Sequence, residues 1–202
     1  MPDRVRQIAP NLWRWTAPHP EWPATVPSES SHYWEQLVGS VLYTTGEHAV
    51  FIDPLLPPDS ESFWAWADER AGGRRVAVLT TIKFHRRSRD AVAERYGAST
   101  SRAKPNLPEG VESFRLRGAG ETVFWLPEPR ALVPGDRILG AAGGGLRPCP
   151  ESWLRYLGTG LTVAQLKERL RPLLELPVEH VLVSHGEPVI GRGRQTLAKA
   201  LA

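Results

Sequence analysis

A single cysteine, Cys149, in a chain of 202 residues leaves no partner for an intramolecular disulfide and too few thiolates for a cysteine-cluster metal site. This scarcity fits a reducing compartment, and Cys149 reads as a packing residue. Long apolar runs are missing too. No stretch approaches the ~20 residues that span a bilayer, and "MPDRVRQIAPNLWRW" has no apolar centre of the kind a signal peptide carries. The expectation is a soluble, cytoplasmic protein with no membrane partner. A strong charge of one sign is also absent. The pI is near 9.3, but the formal net charge is only +3 and no basic stripe is interleaved with aromatics, so nucleic acid is not an expected partner. The glycine run "GAAGGGLRP" lacks the Lys-Ser/Thr of a phosphate-binding loop and reads as a flexible connection. Neither "VGSVL" nor "RPCPES" forms a nucleophile site.

What is present is one core's worth of apolar residues, 41% of the chain, and residues 1–202 are expected to form a single domain. "VGSVLYTTGEHAVFIDPLL" reads as two strands about the turn Thr45-Gly46-Glu47. "DSESFWAWADERAGG" reads as a helix capped by Asp59 or Ser60 and stopped by paired glycines. "RRVAVLTT" returns as a buried strand, and "SRDAVAERYGA" as a helix from Ser88 to Gly97. "VESFRLRGAGETVFWLPEPRALVPGDRIL" divides at its Gly and Pro turns into three strands. Beyond the glycine run come the helices "CPESWLRYL" and "TVAQLKERLRPLLEL", the latter with a Thr162/Gln165 capping box. A strand "HVLVSHG" and a last helix "RGRQTLAKAL" follow. The order predicts a layered α/β architecture.

Three predicted strands run into residues a metal can use: "VAVLTT" leads to His85, "RALVPGD" ends on Asp136, and "HVLVSHGE" ends on His185 and Glu187. Strand ends in layered α/β folds collect at one rim, where a rigid scaffold holds them. These segments, taken with "FIDPLL", resemble the metallo-β-lactamase superfamily over nearly the whole chain. The resemblance implies a four-layer αββα sandwich with a metal site at one edge of its two sheets. It also implies that Asp53 is the structurally important aspartate after the early hairpin, that Asp136 occupies the metal-bridging position, and that His185 is the late ligand histidine.

The superfamily's central His-x-His-x-Asp-His motif is broken in this chain. Aligned without a gap after Thr81, its four ligand positions hold Ile82, Phe84, Arg86 and Arg87. A one-residue slide places His85 at one position and Lys83, Arg87 and Ser88 at the others. The Pro-Gly-His-Thr type turn is replaced by "RGAGETVFW", where Glu121 is the carboxylate available in the histidine's stead. Cationic side chains where cations must bind argue against a dinuclear centre. Two readings follow. In the first, the fold has lost its dinuclear centre and serves as a non-catalytic or anion-binding relative, with Arg86 and Arg87 pairing with Asp136 or holding a small anionic ligand. In the second, one zinc, manganese or iron ion is held among His85, Glu121, Asp136 and His185 and serves hydrolysis of an ester, thioester, lactone or phosphoester. His19, His32, His48 and His180 fall in no matched motif. Trp13, Trp15, Trp22 and Trp34 suggest an aromatic lid over the sheet edge, while Trp64, Trp125 and Trp153 are expected to fill core.

Overall fold

The computed structural model describes residues 4–98, 107–156 and 158–202. Five strands, β1 (Val5–Ala9), β2 (Leu12–Pro18), β3 (Leu37–Thr44), β4 (His48–Ile52) and β5 (Arg75–Leu79), form one sheet in chain order. The first four pair antiparallel, whereas β5 joins β4 in parallel, a connection that needs a crossover. Helix α1 (Ser60–Ala71) supplies it. Asp59 caps its start by accepting the Ser62 N–H, and Gly72 closes it in the left-handed conformation at φ 50°.

Helix α2 (Arg89–Tyr96) follows β5, and β6 (Glu112–Leu116), β7 (Glu121–Leu126) and β8 (Ala131–Val133) then build the second sheet. Its fourth member is β11 (His180–Val181), parallel to β8. Three elements depart from the sequence reading, the first being the strand "HVLVSHG", which is regular only over His180–Val181. The glycine run is not a loose connection but the turn of a hairpin, β9 (Ile138–Ala141) with β10 (Gly145–Pro148), in which Gly143 and Gly144 take positive φ. The "TVAQLKERLRPLLEL" helix has the expected capping box, yet α4 (Val163–Leu170) stops before Pro172 and a 3₁₀ turn, Arg171–Glu175, continues the chain. Proline lacks the N–H that an α-helix interior needs. Helix α3 (Glu151–Tyr156) precedes α4, its predicted last residue Leu157 lying outside the described residues, and α5 (Gly193–Leu201) ends the fold.

Period-two alternation sorts the strands into layers. Val41, Tyr43, Val50, Ile52, Phe124, Leu126, Ala131 and Val133 fill the space between the two sheets. Leu42, Ala49 and Phe51 face the other way, with Trp13 and Trp15 of β2, and meet Phe63, Trp66 and Ala67 of α1. Val123, Trp125 and Leu132 meet Leu166, Leu170, Leu197 and Leu201 of α4 and α5. The arrangement is helix, sheet, sheet, helix, as the sequence led us to expect. Among the described residues no helix is long and apolar enough to cross a membrane.

A candidate metal centre at the rim of the two sheets

The chain leaves β4 at Asp53, β5 at Thr81, β8 at Asp136 and β11 at His185, and all four arrive at one rim. Three contacts hold the rim closed: Gly39 N–H donates to the Ser184 carbonyl at 2.7 Å, and isolated bridges join Val38 to His185 and Ile82 to Glu121. Asp53 sits in the left-handed region at φ 48°, a conformation that aspartate tolerates better than most residues. Its carboxylate is fully engaged. Oδ1 accepts the Thr81 N–H at 2.8 Å, and Oδ2 meets the Thr81 hydroxyl and lies 2.8 Å from His85 Nδ1.

His85 therefore lies between two carboxylates. Its Nε2 is 3.0 Å from Asp136 Oδ1, and the same oxygen is 3.3 Å from His185 Nε2. Asp136 Oδ1 thus meets the two imidazoles as an ion-pair partner and has no other hydrogen-bond partner, and His185 Nδ1 is buried without one. Donor atoms of His85, Asp136 and His185 all fall within 4.8 Å of one another. Two imidazoles and a carboxylate converging on a common point form a donor set that suits zinc, manganese or iron. The residues present fit one ion. Among the described residues there is no second group of this kind.

Burial alone would lower the His85 pKa, and Arg87 adds to that effect, but Asp136 and Asp53 outweigh both and raise it to about 9. Burial opposes the charge on Asp136 as well, yet the two histidines hold its carboxyl well below the usual range. His185 is lowered, first by burial. Without a metal, His85 thus carries a proton at neutral pH and Asp136 its negative charge.

Glu121 is occupied otherwise. It accepts the Gly135 N–H at 3.0 Å through one oxygen and the N–H groups of Asp136 and Arg137 at 2.6 and 2.9 Å through the other. It holds the turn that aims Asp136 and is not in the His–Asp–His group. Burial, then the Asp136 carboxylate, push its pKa up to about 7, against the pull of Arg137 and the backbone donors. Gly135 completes this turn because a Cβ there would stand 2.5 Å from Thr81 Oγ1 and 2.9 Å from Glu121 Oε2. Glu121→Ala should cost roughly 3 kcal/mol or more, because three buried N–H groups lose their acceptor. Urea denaturation would measure it, and Glu121→Gln, which keeps one acceptor oxygen, should lose less.

The two arginines part company. Arg86 is exposed and pairs with Asp90 at 3.2 Å, away from Asp136. Arg87 turns inward and donates to the Gly39 and Asp53 carbonyls at 2.8 and 3.1 Å and to Ser184 Oγ at 2.6 Å. It is a fixed cation beside the site that ties the ends of β3, β4 and β11 together. Glu187 does not line the pocket, and Ser88 spends its hydroxyl on the Leu56 N–H.

Above these residues opens a pocket of about 350 Å³, walled by Trp34, Phe84, Trp153 and Tyr156, with His19 and His32 also on its lining. Those two histidines fall in no matched motif, and only the fold brings them to the site. Trp34 and Trp153 each approach the His185 ring edge-on, with centroids 5.4 Å away. The aromatic lid is accordingly smaller than expected. Trp13 and Trp15 lie in the core, and Trp153, expected there, packs against the core with part of its ring and lines the pocket as well. Trp125 is buried as predicted and Trp64 is partly buried.

No family model matches the sequence, and no curated protein is detectably similar to it. Solved structures are similar in fold. A DIM-1 metallo-β-lactamase exposed to ceftazidime superposes with TM-score 0.62 at 16% identity, over 98% of this chain and 95% of that one. An NDM/FIM-1-like metallo-β-lactamase from Erythrobacter litoralis, in its mono-zinc form, gives TM-score 0.61 at 17% identity over 98% and 95%. The metallo-β-lactamase from Pontibacter korlensis gives 0.54 at 17% identity over 98% and 97%. The chain therefore has the metallo-β-lactamase fold.

Proposed function

We propose that this protein binds a single divalent ion through His85, Asp136 and His185 and hydrolyses a small ester-type compound in the pocket above them. The observation that carries this reading is the convergence of two imidazole nitrogens on one oxygen of Asp136, the donor atoms of all three residues lying within 4.8 Å of one another. When bound, the ion would supply a Lewis acid and a means of activating water at neutral pH. The chain's own residues do the rest. Asp53 accepts the His85 Nδ1 proton, which turns the Nε2 lone pair toward the site. Glu121 fixes the turn that presents Asp136. Arg87 places permanent positive charge where the broken motif leaves out further ligands, and it would attract a substrate's negative charge. The tryptophan walls keep bulk water from the reacting centre and so strengthen these charges. Hydrolysis joins the water oxygen to the acyl carbon, breaks the acyl C–O bond, and returns a proton to the departing alkoxide. The partner is a small molecule, and His85, Asp136 and His185 supply donors for one ion.

A second reading is favoured by the charges at the rim. Asp53 and Asp136 are matched by protonated His85 and by Arg87, so the site is close to neutral without any metal. On that reading the protein is a non-catalytic relative with an anion-binding pocket. Elemental analysis of protein purified without chelator, and again after washing from zinc, manganese or iron, separates the two. About one retained ion per chain is expected on the first reading, since His85, Asp136 and His185 would hold one. Failure to retain any of the three metals would overturn it.

A further inference from the structure

The pocket has a built-in preference that the metal ligands do not explain. Among the described residues, Phe84 and Tyr156 are the large hydrophobic side chains left exposed, at 42% and 77%. They are not scattered. Phe84 follows Lys83 on the 3₁₀ turn Lys83–Arg86, Tyr156 ends α3, and their rings meet across the pocket mouth with centroids 5.6 Å apart and planes tilted by 41°. Lys83 Nζ stands 4.8 Å from the Phe84 ring centroid and steadies it. Deeper in the pocket, Trp153 is locked by its indole N–H, which donates to the Ser31 carbonyl at 3.1 Å, and Ser152 Oγ donates to the same carbonyl at 2.7 Å. Helix α3 is thereby fastened to the segment that carries Trp34. Exposed aromatics on a monomer's surface cost solubility and tend to mark a binding surface.

Resting on the hydrolytic reading of the pocket, we infer that its substrate is an aryl ester: the ring seats against the Phe84–Tyr156 wall while the ester carbonyl reaches the His85–Asp136–His185 centre. Three features favour an aromatic occupant over an aliphatic one. The wall offers ring faces and edges in tilted rather than flat order, the arrangement that offset and edge-on ring contacts prefer. Trp153 is held by its hydrogen bond to the Ser31 carbonyl, so this part of the pocket is in place before a guest enters, and a planar, rigid guest has little freedom of its own to lose. The cavity, about 350 Å³, stands at the small end of ligand pockets, which run from ~300 to ~1,000 Å³. This suits one or two fused rings and not a long flexible chain.

The test is calorimetric titration of the metal-free protein with 2-naphthol, the alcohol such an ester releases, and with decahydro-2-naphthol, its saturated counterpart. Binding of 2-naphthol, with the saturated alcohol several-fold weaker, is expected. In the Phe84→Leu, Tyr156→Leu double variant the 2-naphthol affinity should fall about tenfold, the sum of two ring contacts. Both side chains are exposed, so the variant retains the core. Ring binding is read on metal-free protein, which keeps this outcome separate from the metal reading: a parent protein that binds 2-naphthol but retains no zinc, manganese or iron sinks only the hydrolase. Equal binding of the two alcohols, an unaffected double variant, or no binding would each overturn the aryl assignment. So would light scattering that shows a dimer abolished by Tyr156→Leu, since the wall would then belong to a second copy.

Discussion

Asp136→Asn should weaken zinc retention by roughly 100-fold or more, a loss at least as large as those seen when residues merely supporting a ligand are changed. The substitution is nearly isosteric and leaves the Glu121 cradle intact, because Glu121 holds the backbone of Asp136 and not its side chain. What changes is the oxygen between the two imidazoles. An amide oxygen is a weaker donor than a carboxylate, and its NH₂ would point a hydrogen at whatever cation approached. Competition against a chromophoric chelator measures the affinity directly. The same variant reports on the metal-free reading: removing one partner of a buried ion pair costs about 3–5 kcal/mol. If Asp136→Asn is strongly destabilised in chelator while the parent never held metal, the charge network is the function of Asp136. If chelator-treated parent and variant melt close together but only the parent gains stability from zinc, the ion is.

The second large effect is on pH. His85 must give up its proton for Nε2 to bind a cation, and its pKa stands at about 9 in the metal-free protein, whereas His185 is lowered and needs no such release. Zinc affinity should therefore rise about tenfold per pH unit between roughly pH 6.5 and 9 and then level off. The stability of the metal-free protein should move the opposite way. A histidine whose folded pKa exceeds its unfolded value of ~6.5 contributes stability that is complete below pH 6.5 and is lost as the pH rises through 9. The difference amounts to about 3 kcal/mol, or ~10 °C in melting temperature for a domain of this size. Melting curves in chelator and in excess zinc, taken from pH 6 to 9.5, should converge at low pH and diverge at high pH. Parallel curves would mean that His85 does not take part.

Some of this was legible along the chain. Asp136 and His185 stand after apolar strands in "LVPGD" and "VSHGE", where a turn residue and a strand end put side chains at a sheet rim. His85 was legible as a polar residue after "VAVLTT", but its partner was not: Asp53 is 32 residues away and meets it only because β4 and β5 run parallel and end together. Glu121 illustrates the opposite failure. A carboxylate at the start of a strand looks like a ligand in sequence, and only the fold puts three backbone N–H groups of another turn within its reach. Arg86 and Arg87 are neighbours of identical chemistry, yet the positive φ of Arg87, 39°, sends it inward while Arg86 stays with Asp90. Local sequence carries no signal for that division.

The sequence by itself determined the layering. Alternation along β3, β4 and β7 assigns each apolar side chain to one face, and capping at Asp59 and Thr162 fixes where the helices begin, because these effects act over one to four residues. Tertiary structure alone decided the chemistry. Whether a carboxylate serves as ligand, cradle or orienting base depends on which donors lie within about 3 Å of its oxygens, and here Asp136, Glu121 and Asp53 meet theirs across 14 to 51 residues of chain. Contacts of that span are set by how two sheets close on a shared core, which no local pattern encodes.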